Sequence, residues 1–150
     1  MDLILWRHAQ AEDGVPDADR RLTARGEKDA ARVAAWLRER LAPGTATVLA
    51  SPARRTRQTA DALAMPYGVS ERVGTGATVE SVIAAAGWPD RREGTLILVG
   101  HQPWIGQVAA MLVAGRPDPW PMRKAGFWWL SWRDRHEVLV KAVLTPELLR

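Results

Sequence analysis

Two of the three histidines in the chain, His8 and His101, stand at the carboxyl ends of short apolar runs. The run Leu3 to Trp6 leads into Arg7-His8, and the run Thr95 to Val99 leads into Gly100-His101. A third run, Thr47 to Ala50, leads into Ser51-Pro52-Ala53-Arg54-Arg55. Continuous apolar runs of this length read as strands buried on both faces. In open α/β sheets ligands gather outside the carboxyl ends of such strands. A lone histidine or arginine at a strand end is more often structural than catalytic, but three such ends converging on one sheet edge would put two imidazoles among several guanidinium groups. Phosphoryl transfer needs that set: forked guanidinium donors bind the charge spread over the equatorial oxygens, and a neutral imidazole is a competent nucleophile near pH 7. His136 falls between two β-rich runs and reads as a surface turn residue.

The elements that would hold these groups follow from pattern. Residues 9–22 contain Gly14, Pro16 and several acids and read as a loop. Thr23 is placed to cap a helix running to about Leu41, in which Ala30, Val33, Ala34, Leu37 and Leu41 form one apolar stripe; Pro43-Gly44 follows it. A second helix is expected from Ser51-Pro52 to about Ala64, and a third from Thr78 to Ala86. Pro103 admits a fourth, with Ile105, Val108, Ala109 and Leu112 on one face and Gly115 as its stop. Its positive end would add to the anion site formed by His101. Phe127 to Trp132 and Val138 to Leu144, separated by residues 133–137, read as an antiparallel hairpin. Strands alternating with helices and closed by a hairpin give the expected fold class: a three-layer α/β/α domain, residues 1–150, with a mixed, mostly parallel central sheet.

Composition narrows the chemistry further. A length of 150 residues, 47% of them hydrophobic, suffices for one continuous core. There is no cysteine, which removes thiolate zinc sites, disulfide frameworks and cysteine nucleophiles together. Histidine and carboxylate residues show no metal-ligand spacing, so no metal or cofactor is expected. The net charge of +4 comes from basic residues spread along the chain. Without a basic tail or an aromatic-basic motif, no nucleic-acid partner is expected. The start M-D-L-I-L-W-R-H fits neither a leader nor a membrane span, so neither membrane association nor a compartment other than the cytoplasm is expected. Most of the eight tryptophans are expected in core or sheet packing.

The motifs together resemble those of the histidine phosphatase (phosphoglycerate mutase-like) superfamily. Arg7-His8-Ala9 looks like its R-H-G signature. D-R-R-L-T-A-R-G at 19–26, S-P-A-R-R-T-R-Q-T-A at 51–60 and V-G-H-Q-P at 99–103 follow in the same order. The short length and the L-T-x-x-G after the loop look most like the SixA-type phosphohistidine phosphatases. The resemblance implies that His8 becomes phosphorylated and that Arg7 and Arg55 bind the phosphoryl group. It also implies that His101 hydrogen-bonds the phosphoryl oxygens, that Arg20 faces the phosphate, and that Arg54 points elsewhere. The substrate would be a phosphorylated protein bearing phosphohistidine, or alternatively a small phosphorylated metabolite; a silent phosphate-binding module is the third reading.

Two departures from the family pattern bear on mechanism. Ala9 stands where glycine is usual, so the backbone there must suit a residue with a Cβ. No general acid is obvious: Asp17, Asp19 and Glu80 are the candidates, and Glu80 reads equally well as a first-turn helix residue. Phosphohistidine releases an imidazole, which needs an acid far less than an alkoxide does.

Overall fold

A computed structural model of the chain describes residues 1–134 and 136–150. Six strands form one sheet: β1 (Asp2–Arg7), β2 (Ala46–Ala50), β3 (Gly68–Val69), β4 (Thr95–Gly100), β5 (Phe127–Asp134) and β6 (Glu137–Leu144), in the order β3-β2-β4-β1-β5-β6. The first four in that order run parallel; β5 pairs antiparallel with β1, and β6 antiparallel with β5. Helices α1 (Ala24–Arg40) and α2 (Arg54–Asp61) cover one face, and α3 (Val79–Ala86) and α4 (Trp104–Ala114) the other. This is the three-layer, mostly parallel architecture expected from the sequence.

The β1 run Leu3–Trp6 is fully buried because its alternate side chains enter different cores. Ile4 and Trp6 pack with Val33, Leu37 and Phe127; Leu3 and Leu5 pack with Ile105, Val108 and Leu98. The stripe predicted on α1 is buried at Ala30, Val33, Ala34 and Leu37, and the Thr23 hydroxyl accepts the Gly26 N–H as its cap. Gly115, at φ 80°, ends α4 in the left-handed region that favours glycine. Among the described residues, no helix is long and apolar enough to cross a membrane.

The second helix differs from its expected span. It begins at Arg54 and ends at Asp61 instead of running from Ser51-Pro52 to Ala64. Ser51 and Pro52 stay outside because the Thr56 hydroxyl, which donates toward the Ser51 and Ala53 carbonyls, tightens the entry turn there. At the other end Ala64 adopts φ 54°, which no α-helix continues through. Strand β3, at two residues, is too short to display a periodicity in the sequence. The hairpin forms, with His136 exposed in its turn; Arg135 in the predicted connector lies outside the described residues.

Segment 120–125 returns from the end of α4 to the carboxyl end of β1 and lies so close to α4 that a Cβ on Gly106 would fall 1.7 Å from the Trp120 carbonyl oxygen. Gly106→Ala is therefore expected to force backbone apart and to destabilise the chain by about 1–3 kcal/mol. Urea unfolding measures this, and an unchanged midpoint would mean that the segment has slack to move.

Candidate active site

The convergence of the strand ends is set by backbone register. Arg7 pairs with Gly100 and Ala50 with Val99, so β1, β4 and β2 end level. The ladder continues one step past them: the His8 N–H donates to Gly100 O at 3.0 Å and the Ser51 N–H to Val99 O at 3.0 Å. His8, His101 and Ser51 thereby emerge side by side, with the two imidazole centroids 5.4 Å apart. From the hairpin side, the Ala125 N–H donates to His8 O at 3.1 Å.

His8 Nδ1 lies 2.8 Å from Ala9 O. A carbonyl oxygen only accepts, so Nδ1 carries the proton and the Nε2 lone pair is left free. The carbonyl that makes this choice is itself held. The Ala9 N–H donates to the Thr59 hydroxyl at 3.0 Å, and that hydroxyl donates to Arg55 O at 2.7 Å on α2. Ala9 is fully buried and is not among the residues with positive φ, so alanine is accommodated where glycine was anticipated. Burial pushes the His8 pKa down to about 3, opposed by the hydrogen bond to Ala9 O and helped by neighbouring His101 and by the cations Arg55 and Arg7. The imidazole is neutral at pH 7.

His101 Nε2 and the Ser51 hydroxyl form a 2.7 Å hydrogen bond, both residues buried. Burial and Arg55 bring the His101 pKa down to about 4, with Asp17 opposing. Arg7 and Arg55 approach this pair, and each carries a buried Nε without a hydrogen-bond partner. Both terminal nitrogens of Arg55 and one of Arg7 are occupied: Arg7 Nη1 donates to Met122 O at 2.7 Å, and Arg55 donates to Asp17 O and Oδ2 at 3.0 and 3.1 Å. Two arginines with unpartnered donors, close to neutral imidazoles, are an arrangement that can receive an oxyanion.

The remaining candidates sit farther out. Arg54 is exposed, while Arg55, one residue on, is buried. Arg20 donates to Asp17 Oδ1 and Glu12 O, which places it one ion pair away from Arg55. Hydrogen bonding from Arg20, reinforced by Arg55, keeps the Asp17 carboxyl below its ordinary pKa, so it is ionised at neutral pH. Asp19 is exposed in the same 3-10 turn, and Glu80 is exposed in the first turn of α3. The N-terminus of α4 contributes less directly than expected, because the Ile105 N–H is spent on His101 O and the Gly106 N–H on Gln102 Oε1. Among the described residues no three histidine or carboxylate side chains cluster as metal ligands.

A protein-family model for the histidine phosphatase superfamily (branch 1) matches residues 3–75. An uncharacterized protein of Mycobacterium tuberculosis is 36% identical over 112 residues, covering 72% of this chain and 70% of that protein. The chain belongs to the histidine phosphatase superfamily. Its fold matches the solved structure of the protein histidine phosphatase SixA complexed with tungstate with a TM-score of 0.87 at 21% identity, over 100% of both chains. A SixA protein of Nakamurella multipartita, provisionally named a phosphohistidine phosphatase, matches with a TM-score of 0.80 at 29% identity, over 97% of this chain and 95% of that one. The fold is shared also with a phosphoserine phosphatase of Entamoeba histolytica, at a TM-score of 0.73 and 16% identity over 99% of both chains. The superfamily motifs acquire physical meaning in this geometry: in S-P-A-R-R-T-R-Q-T, Ser51 holds His101, Gln58 accepts the Leu22 N–H, and Thr59 holds the loop after His8.

Two predictions follow from the state of His8. Thr59→Val keeps the shape but leaves the Ala9 N–H unpaired, so kcat is expected to fall roughly tenfold, about the worth of one hydrogen bond. Thr59→Ser should recover it, and nitrogen NMR of His8 should show the Nδ1–H tautomer losing its dominance only in the valine variant; equal kcat in all three would sink the idea. The second concerns acid. An unfolded histidine titrates near 6.5, whereas folded His8 and His101 titrate at about 3 and about 4. Between those limits the unfolded chain binds more protons, so stability falls as pH drops below about 6.5, by at most about 1.4 kcal/mol per pH unit per histidine. Urea unfolding at pH 7, 6 and 5 should show this slope reduced in His8→Asn; an unreduced slope would mean that His8 is not held neutral.

Proposed function

We propose that the chain, acting as one domain, removes the phosphoryl group from phosphohistidine carried on a protein, by way of a covalent intermediate on His8. The observation that carries this reading is the fixed tautomer: a buried, neutral His8 with Nδ1–H bound to Ala9 O and Nε2 free, and with Arg7 and Arg55, each holding an unpartnered Nε, near enough to lower its pKa. Nε2 attacks phosphorus as the P–N bond to the substrate imidazole breaks; that ring enters protonated on its second nitrogen, which titrates in the ordinary imidazole range, and so leaves as a neutral imidazole. The positive charge that develops on His8 is stabilised by the Ala9 carbonyl on Nδ1–H. Arg7 and Arg55 bind the equatorial oxygens through their free Nε groups, and His101, steadied by Ser51, completes the oxyanion site. Arg20 acts from the rim, orienting Asp17 against Arg55. Water then attacks phosphorus, the P–Nε2 bond breaks, and inorganic phosphate leaves. Charge stabilisation in this scheme comes from guanidinium groups, without a metal.

Substrate class follows from energetic matching. Moving phosphoryl from one imidazole to another exchanges like bonds, so the first step is nearly balanced. An unactivated ester must instead expel an alkoxide and needs a proton donor. Asp17, the carboxylate nearest the arginines, is held ionised and is a poor donor. The name borne by the Nakamurella multipartita relative agrees with this reading, while the shared fold of the phosphoserine phosphatase keeps a phosphomonoesterase as the competing outcome.

The test compares kcat/KM for a phosphohistidine protein, p-nitrophenyl phosphate and phosphoserine, with wild type and His8→Ala. Phosphohistidine should be fastest, the aryl ester intermediate and phosphoserine slowest, with His8→Ala inactive but folded and an acid-labile phosphoenzyme mapping to His8. Phosphoserine or a sugar phosphate as the fastest substrate by a wide margin would transfer the assignment to a metabolite phosphatase, and label on His101 would reverse the two histidines.

A further inference from the structure

A concavity of about 760 Å³ is lined by Arg7, which also belongs to the site. It is lined as well by Gln10, Arg25, Arg123 and Lys124, and not by Asp17. Its size far exceeds a phosphoryl group and is that of a cleft for several covalently joined groups. Four cations line it against two carboxylates, Asp29 and Glu147, and both carboxylates are already engaged. Asp29 faces Arg32 at 3.4 Å, Arg150 at 3.2 Å and Arg25 at 3.9 Å, and Glu147 faces Arg123 at 3.9 Å. Lys124 is exposed and makes no salt bridge among the described residues. The groove thus has positive charge left over.

The surroundings of Arg55 differ. There the Asp17 carbonyl and carboxylate fill the outer edge of Arg55. Chain continuing from a bound phosphoryl group would meet the Asp17 carboxylate beside Arg55 and an open, cationic cleft beside Arg7. Because Arg7 lines the cleft and also lies close enough to both imidazoles to lower their pKa values, one residue joins the two spaces.

Building on the phosphohistidine reading, we propose that this groove receives an acidic peptide segment flanking the phosphorylated histidine of the substrate protein. The carboxylates of the segment lie along Arg25, Arg123 and Lys124 while the phosphoryl group sits between Arg7 and Arg55. The attraction operates across a solvent-exposed rim, so it speeds association and weakens with salt.

Three phosphohistidine peptides of equal length, flanked by glutamate, by serine and glycine, or by lysine, test this, with phosphoramidate as a substrate that has no flank. The glutamate peptide should exceed the neutral one in kcat/KM by roughly three- to tenfold at low ionic strength, with the lysine peptide lowest and the differences shrinking in high salt. In the double variant R123E/K124E the order should collapse or invert while phosphoramidate turnover stays unchanged. Direct calorimetric binding of the unphosphorylated glutamate peptide reads the groove without turnover, and the double variant should lose it. Equal rates for all three peptides, or no wild-type binding of the glutamate peptide, overturns the groove proposal alone. Failure to hydrolyse any phosphohistidine substrate, with peptide binding intact, overturns the substrate reading and leaves an acidic-ligand groove. Binding that survives R123E/K124E places the acidic segment elsewhere.

Discussion

The level ending of three parallel strands is the constraint on which the site depends. Strands β1, β4 and β2 stop together, and two further backbone hydrogen bonds, from His8 to Gly100 and from Ser51 to Val99, carry the ladder just beyond the sheet. A slip of one residue in either pairing would turn a site residue to the opposite face of the sheet. Register is protected by the cores on both faces: Leu3–Trp6 and Leu96–Val99 are almost wholly buried, so any slip must expose or misplace large apolar side chains.

A site of this kind is electrostatically expensive. Two arginines, one nearly buried and one half-buried, face two imidazoles that burial keeps neutral. The protein limits the cost by tying the outer edges of the cations to Met122 O and to Asp17, while leaving each Nε unanswered. Partial satisfaction divides the work between folding and binding. The protein contacts hold the side chains in place, and the unanswered donors keep an affinity for oxyanions that a fully satisfied network would have lost.

Much of this was legible in the sequence. The apolar runs located three strand ends, and strand-end residues in a parallel sheet need only their neighbours' register to become neighbours in space. Arg7, His8 and His101 became candidates in that way, whereas choosing Arg55 over Arg54 came from the family resemblance. The fold class followed from alternation, and the α1 stripe from its period. What stayed hidden was second-order. Ser51 and Thr59 look like ordinary polar residues around a helix start until β4 and the Ala9 loop are placed against them. Asp17 reads as a candidate acid until Arg20 and Arg55 are seen to close on it. The contribution of Met122 is invisible in principle, since the group that matters is its carbonyl. Ala9 looked like a departure because glycine is usual there, yet its buried Cβ joins the core around Trp6 and Val33.

The return segment 120–125 supports the site residues through its main chain, while its Trp120, Met122 and Ala125 side chains pack into the two cores. The carbonyls of Trp120, Met122 and Ala125 accept from Gln102, Arg7 and Trp6, and the Ala125 N–H binds His8 O. Contacts of this sort are indifferent to the side chains at Arg123 and Lys124, which point out from the same stretch into the neighbouring cleft. Lineages can therefore rewrite the surface beside the phosphate pocket by point substitution, leaving the supports of the chemistry untouched. That separation gives an evolutionary route by which one pocket could be retargeted among phosphorylated partners without relearning how to cleave them.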